Sequence, residues 1–163
     1  MEIKILEEVN CPDNVIQHSI AVFEKSIKIA SNFDNADMDL IKKGALLHDI
    51  GRSQTHGLEH AVIGAEIAEK LGYSPEVCKI IERHVGAGIT ESEAVKLGLP
   101  RKSYVPVTLE EKIVAHGDNL VSGTEEVDLD FVIAKWERKI EDPEENIKRL
   151  ISLNKELIEP FEE

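Results

Sequence analysis

Six histidines and two aspartates, several of them next to apolar residues, are the side chains here that could do chemistry. The densest signal is Ala45-Leu46-Leu47-His48-Asp49-Ile50-Gly51-Arg52, where a His-Asp pair directly follows an apolar run. A carboxylate at the end of a buried segment is costly unless it is paired or coordinates a metal. Groups at the helix end could satisfy Asp49, so the pair alone decides nothing. The other histidines shift the balance. His56 and His60 are four apart, which puts two imidazoles on one helical face where they can share a metal, although His56 falls at or before the expected helix start. His84 closes the run Ile80-Ile81-Glu82-Arg83-His84. Asp118 has apolar neighbours in an expected helix, where Asp is a poor helix former. His116 and Asp118 are two apart and point in nearly opposite directions, so at most one faces a site. Asp118 is the better choice, leaving His116 and His56 as bystanders or supporting groups. His18 lies at the edge of an apolar stripe. Imidazole and carboxylate ligands together suit Fe, Mn, Co or Zn.

Helices must position these groups. After Pro12, the residues Ile16, Ile20, Phe23, Ile27 and Ala30 recur at helical spacing, widened by Val15, Val22 and Ile29. A second helix runs from about Asp37, its cap, to Asp49, with Gly51 as terminator. A third spans Gly57 to Leu71 and stops at Gly72. Ser74-Pro75-Glu76 starts a fourth that ends near His84. Gly86 and Gly88 open a loop, Glu91 to Leu97 forms a short helix, and Pro100 to Pro106 is irregular, in the manner of a flap. Thr108-x-x-Glu111 reads as a capping box for a helix through about Val121. Asp128 or Asp130 starts another through Ile140, and Asp142-Pro143-Glu144-Glu145 starts the last, through about Ile158. Strand signals are almost absent. The pattern predicts an all-α, single-domain bundle of about six to eight helices.

Composition agrees. With 163 residues, 42% of them apolar and only 4% aromatic, the chain can build one core from Ile, Leu, Val and Ala. A net charge of −13 argues against nucleic-acid and anionic membrane partners. A small phosphorylated molecule would bind only where metal ions or basic residues reverse the field. Cys11 and Cys78 form no CxxC pair, which suits a reducing cytoplasm. Met1 to Asn10 lacks the features of a signal peptide, and no stretch approaches the ~20 apolar residues of a membrane span.

In this order and context the residues resemble the HD superfamily of metal-dependent phosphohydrolases. Its pattern is a His on the first helix, a His-Asp doublet after an apolar helix, and a distant Asp on a later one. These fall on His18, on His48-Asp49 and on Asp118, so the resemblance covers Val15 to roughly Val121. Two-metal members carry two more histidines between doublet and final Asp, matched by His60 and His84. The pattern is similar to the dinucleoside-polyphosphate hydrolase branch, and the longer HD-GYP signature is missing. The usual Ile-Gly-Lys after the doublet is Ile-Gly-Arg here, and Arg52 keeps the positive charge and can bind phosphate in a bidentate way.

The resemblance implies two divalent ions (Fe, Mn, Co, Zn or Mg), the first held by His18, His48, Asp49 and Asp118. His60 and His84 would hold the second, with Asp49 bridging. Such a pair activates a water that attacks phosphorus in line. Arg52 and Lys112 would neutralise the phosphoryl oxygens, with Arg83 and Arg101 as weaker candidates. The implied substrate is a small nucleotide-like phosphoester or phosphoanhydride, read by the loops from Gly86 to Thr108. The implied organisation is a catalytic domain over 1–125 with a helical extension over 126–163 packed on it. The stripe Ile147, Leu150, Ile151 and Leu157 would pack on that domain or form a homo-oligomer contact. The alternatives are a metal-binding nucleotide sensor without turnover and a helical interaction module.

Overall fold

The computed structural model describes residues 1–162. Nine α-helices are present among them: α1 Glu2–Glu8, α2 Asp13–Ala30, α3 Met38–Leu47, α4 His60–Lys70, α5 Pro75–Glu82, α6 Glu91–Leu97, α7 Leu109–Asn119, α8 Leu129–Lys139 and α9 Glu144–Leu157. Eight lie where periodicity and caps place them. The ninth, α1, was not expected, because charged residues alternate with its few apolar ones. It is held by Leu6, which is fully buried. A two-stranded antiparallel hairpin, β1 Val121–Ser122 with β2 Glu125–Glu126, was also not expected. Gly123 turns it with φ 62°. No helix among the described residues is long and apolar enough to cross a membrane.

The start signals act as written. Asp37, Ser74, Thr90, Thr108 and Asp128 each accept a backbone N–H from the first turn of their helix. The reciprocal capping box, however, forms at Thr90–Glu93 and not at Thr108–Glu111. Glu111 is buried and instead accepts from Val107 N at 3.0 Å and Arg83 Nη1 at 2.8 Å.

Helix α3 is the partition of the core. Ile41 and Ala45 belong to a large apolar cluster with residues of α2, α7, α8 and α9. Leu47, and Ile50 just beyond the helix, belong to a second cluster with α1, α4 and α5. The chain leaves α3 between these clusters, which places His48 and Asp49 at the centre of the molecule. The buried line of α2 is Val15, Ser19, Val22, Ser26 and Ile29, with Ile20, Phe23 and Ile27 only partly buried. The two small serines occupy the middle because α7 comes very close. A Cβ at Gly117 would lie 2.5 Å from Ser26 Oγ. That approach brings His18 of α2 beside Asp118 of α7. At the other end, Leu150 and Leu157 of the expected stripe on α9 are buried in the same core together with Leu153, so this part of the stripe is used within the chain.

Gly51 does not terminate α3 through a left-handed backbone. It sits in a 3-10 turn, Ile50–Ser53, and a Cβ there would lie 1.8 Å from the carbonyl oxygen of His60. The glycine lets the turn press against the first residue of α4. Gly51→Ala is therefore expected to destabilise the protein by on the order of 3 kcal/mol or more. Thermal melting checks this, and a melting temperature within a degree of wild type would contradict it.

His116 is fully buried, and its Nε2 lies 2.9 Å from Asn154 Oδ1 of α9. Burial pushes its pKa down to about 4, so the folded state holds it neutral. The unfolded chain binds that proton near pH 6.5. Its contribution is complete above pH 6.5 and is lost as pH falls towards 4. Between pH 7.5 and 5, wild type should lose about 2 kcal/mol more unfolding free energy than His116→Gln, measured by denaturant melts. Equal losses would show that His116 is not held neutral.

Candidate metal centre

Asp49 is the hub. Its Oδ1 lies 3.1 Å from His60 Nε2 and 3.3 Å from His84 Nε2. Its Oδ2 lies 3.5 Å from His48 Nε2 and 3.8 Å from His18 Nε2. Asp118 Oδ1 closes the second group, 2.9 Å from His18 Nε2 and 3.4 Å from His48 Nε2. One carboxylate thus faces two histidine pairs, one with each oxygen. His48, His60 and His84 are buried, and His18 and Asp118 edge the opening.

The ring orientations have a local cause. His48 and His84 stand at the ends of α3 and α5, where the last carbonyls of a helix lack intrahelical partners. His48 Nδ1 lies 2.6 Å from Ala45 O, His84 Nδ1 2.6 Å from Ile81 O, and His60 Nδ1, at the start of α4, 2.8 Å from Gly57 O. In all three the imidazole donates to the carbonyl three residues back. His18, inside α2, uses Nδ1 across the fold, 2.6 Å from Gly123 O of the hairpin. A hydrogen donated from Nδ1 makes Nε2 the nitrogen left to ligate once its own proton is gone, and all four Nε2 atoms point at the carboxylates.

That arrangement is unsatisfied by protein atoms alone. His60 Nε2 and His84 Nε2 are 3.1 Å apart, so two lone pairs oppose each other unless a cation or proton lies between them. His48 Nε2 is buried with no hydrogen-bond partner. Four imidazole nitrogens and two carboxylates are a donor set that divalent ions of the Fe, Mn, Co and Zn kind accept. Two groups, His18 with His48 and Asp118, and His48 with Asp49 and His84, have ligand atoms close enough for one ion. The site residues therefore fit a metal.

The electrostatics point the same way. Burial disfavours a charge on His48, but Asp49 and Asp118 outweigh it and raise its pKa to about 9. His18 is likewise raised, by Asp118 against the cost of burial. Burial dominates for His84 and lowers it. Both aspartates are held well below the usual carboxylate range, mainly by His48 overcoming the cost of burial.

The basic residues divide. Arg52 joins the site, with Nε 3.4 Å from Asp49 Oδ2 and Nη1 donating to His56 O at 3.1 Å. Lys112 does not. It lies on another side of α7, six residues before Asp118, and its Nζ bonds Glu156 at 3.1 and 3.2 Å. Arg83 is bound to Glu111, Arg101 is exposed, and neither lines the site cavity. His56 is exposed on a groove beside Arg52, and His116 is a core residue.

The donors open into a cavity of about 310 Å³. Its far wall is Val127, Phe131, Val132, Lys135 and Trp136 of the hairpin exit and α8. This corrects the expectation that the loops from Gly86 to Thr108 read the substrate, because only Gly86 of that stretch lines the cavity. The loops turn away since Ile89 pairs with Tyr104, and both bury with Ala94 in a small cluster of their own. Two aromatics five residues apart, in a chain with so few, are the signal that could have pointed to α8.

Residues 15–123 match the HD domain family model, and the chain belongs to that family. It is 51% identical over 151 residues to an uncharacterized protein of Methanocaldococcus jannaschii, covering 90% of this chain and 89% of that protein. It is 46% identical over 147 residues to a tRNA (cytidine(56)-2'-O)-methyltransferase of Thermoplasma volcanium, covering 90% of this chain but only 43% of that protein. In fold it is similar to the HD domain of the L. monocytogenes phosphodiesterase PgpH in complex with cyclic-di-AMP, with TM-score 0.59, 18% identity and 98% of each chain covered.

Because His48, with its pKa raised to about 9, holds a proton that an ion must displace, metal loading should release acid. Adding Mn²⁺ or Zn²⁺ to chelator-treated protein at pH 7 is expected to free about one proton or more per molecule. Calorimetry in buffers of different ionisation enthalpy measures it. A binding enthalpy independent of buffer would contradict the assignment of His48 as protonated.

Proposed function

We propose that this chain is a metal-dependent phosphohydrolase acting on a small nucleotide-like substrate, of the two-metal kind found in the dinucleoside-polyphosphate hydrolase branch. The observation that carries the reading is the double-sided Asp49, one oxygen toward His60 and His84 and the other toward His48 and His18. His18, His48, Asp49 and Asp118 would hold one ion, and His60 and His84 the other, with Asp49 shared. When bound, two such ions lower the pKa of a shared water and stabilise the attacking and leaving oxygens.

The chain's own side chains do the rest. Asp49 and Asp118 keep the imidazoles turned inward. The Nδ1 hydrogen bonds fix which nitrogen is free to ligate. Arg52, anchored on Asp49 and on the carbonyl of His56, presents its remaining N–H groups to phosphoryl oxygens. The buried surroundings strengthen each of these interactions.

Residues 126–163 work with 1–125 as one unit in this reading, since α8 walls the cavity. Free Cys11 and Cys78 suit a reducing cytoplasm. Methyl transfer to tRNA is not carried over, because the matched part is 43% of that relative and a net charge of −13 repels RNA.

Wild type and Asp49→Ala, with metal content measured on both, are to be assayed against a panel of nucleotides and phosphodiesters. Wild type should turn over at least one compound and lose it on chelation. Asp49→Ala should lose bound metal and all detectable turnover. Substantial hydrolysis by metal-free wild type or by Asp49→Ala would falsify the reading. Arg52→Ala should keep its metal and drop kcat/KM by about 10²-fold.

A further inference from the structure

We propose that the cavity-lining residues of α8, Phe131 with Lys135 and Trp136, are the specificity element that takes the base and a phosphate of a nucleotide. The proposal rests on the phosphohydrolase reading and extends it to the part of the substrate remote from the metals.

Phe131 and Lys135 are one helical turn apart and share a face of α8, while Trp136 projects from the flank of that face. All three line the cavity that holds Asp49 and Asp118. Phe131 is 44% exposed and belongs to none of the buried clusters, whereas Leu129, Ile133 and Trp136 pack against the core. Phe131 therefore leaves much of an aromatic ring open at the mouth of a polar cavity. A flat π-system with a phosphate attached is the kind of ligand that would cover it.

The charge agrees. Arg52 and Lys135 are the lysine and arginine side chains that line the cavity. Lys135 forms no ion pair among the described residues, although the chain carries 32 acidic side chains to 19 basic ones. An unpaired cation is the group that an anion arriving from solvent would meet. The Trp136 ring lies close to Gly86, where an added Cβ would be 3.6 Å from it.

Trp136 is the only tryptophan, so its fluorescence reports occupancy of this wall without reference to turnover. Metal-loaded protein is titrated with AMP, GMP, CMP, UMP and, as the base-free control, ribose 5-phosphate. At least one nucleotide should quench Trp136 saturably and bind about tenfold or more tighter than ribose 5-phosphate, as stacking on an aromatic ring provides. Phe131→Ala should remove that preference for the nucleotide. Lys135→Gln should weaken nucleotide and ribose 5-phosphate alike. Both variants should keep wild-type metal content and melting temperature. Failure of all four nucleotides to quench, or unchanged nucleotide affinity in both variants, overturns the proposal. Base-dependent quenching with no hydrolysis of any nucleotide would leave this wall assigned and defeat only the phosphohydrolase reading.

Discussion

The structure depends on keeping two carboxylates and four imidazoles together in the interior of a helical bundle. Burial alone would drive Asp49 and Asp118 to take up protons and the histidines to lose theirs. Mutual proximity reverses this for the aspartates and for His48. Within protein atoms alone the balance is incomplete, since His48 Nε2 has no hydrogen bond and two Nε2 lone pairs face each other. The cluster has the composition and the orphaned lone pairs of a cation site.

Helix ends supply the geometry. A bundle has unpaired carbonyls wherever a helix stops, and here two of them orient imidazoles. The stop of α3 supplies His48 and Asp49, the stop of α5 supplies His84, and the start of α4 supplies His60. One rule, donation from Nδ1 to the carbonyl three residues back, turns all three rings the same way. His18 and Asp118 come from inside α2 and near the end of α7, and they meet because Gly117 and Ser26 let those helices approach closely. Packing of small residues in the core and ligand placement at the centre are therefore the same design decision.

Charge is distributed to match. The chain is strongly acidic overall, yet the cavity is lined by Arg52 and Lys135. Lys112 shows how position on a helix overrides proximity in sequence. It shares α7 with Asp118, but its direction sends it to Glu156 on the surface. The C-terminal residues, which carry none of the family's pattern, line the cavity and bury leucines in the main core.

By itself the sequence determined eight of the nine helices among the described residues and the starts marked by caps, because caps and apolar periodicity act over a few residues. It also singled out His18, His48, Asp49, His60, His84 and Asp118, because a polar group stranded in an apolar run stands out locally. It did not show α1, which is anchored by the burial of Leu6 and by the Tyr73 hydroxyl donating to Glu2, or the hairpin that takes the His18 hydrogen bond. Nor did it show that Gly51 serves close packing, that Lys112 faces away, or that α8 and not the Gly86 to Thr108 loops lines the cavity. Those are questions of which surfaces meet across long separations in the chain. They are decided by how tightly α2, α3 and α7 pack, and a pattern read along one strand of sequence carries no distance between helices.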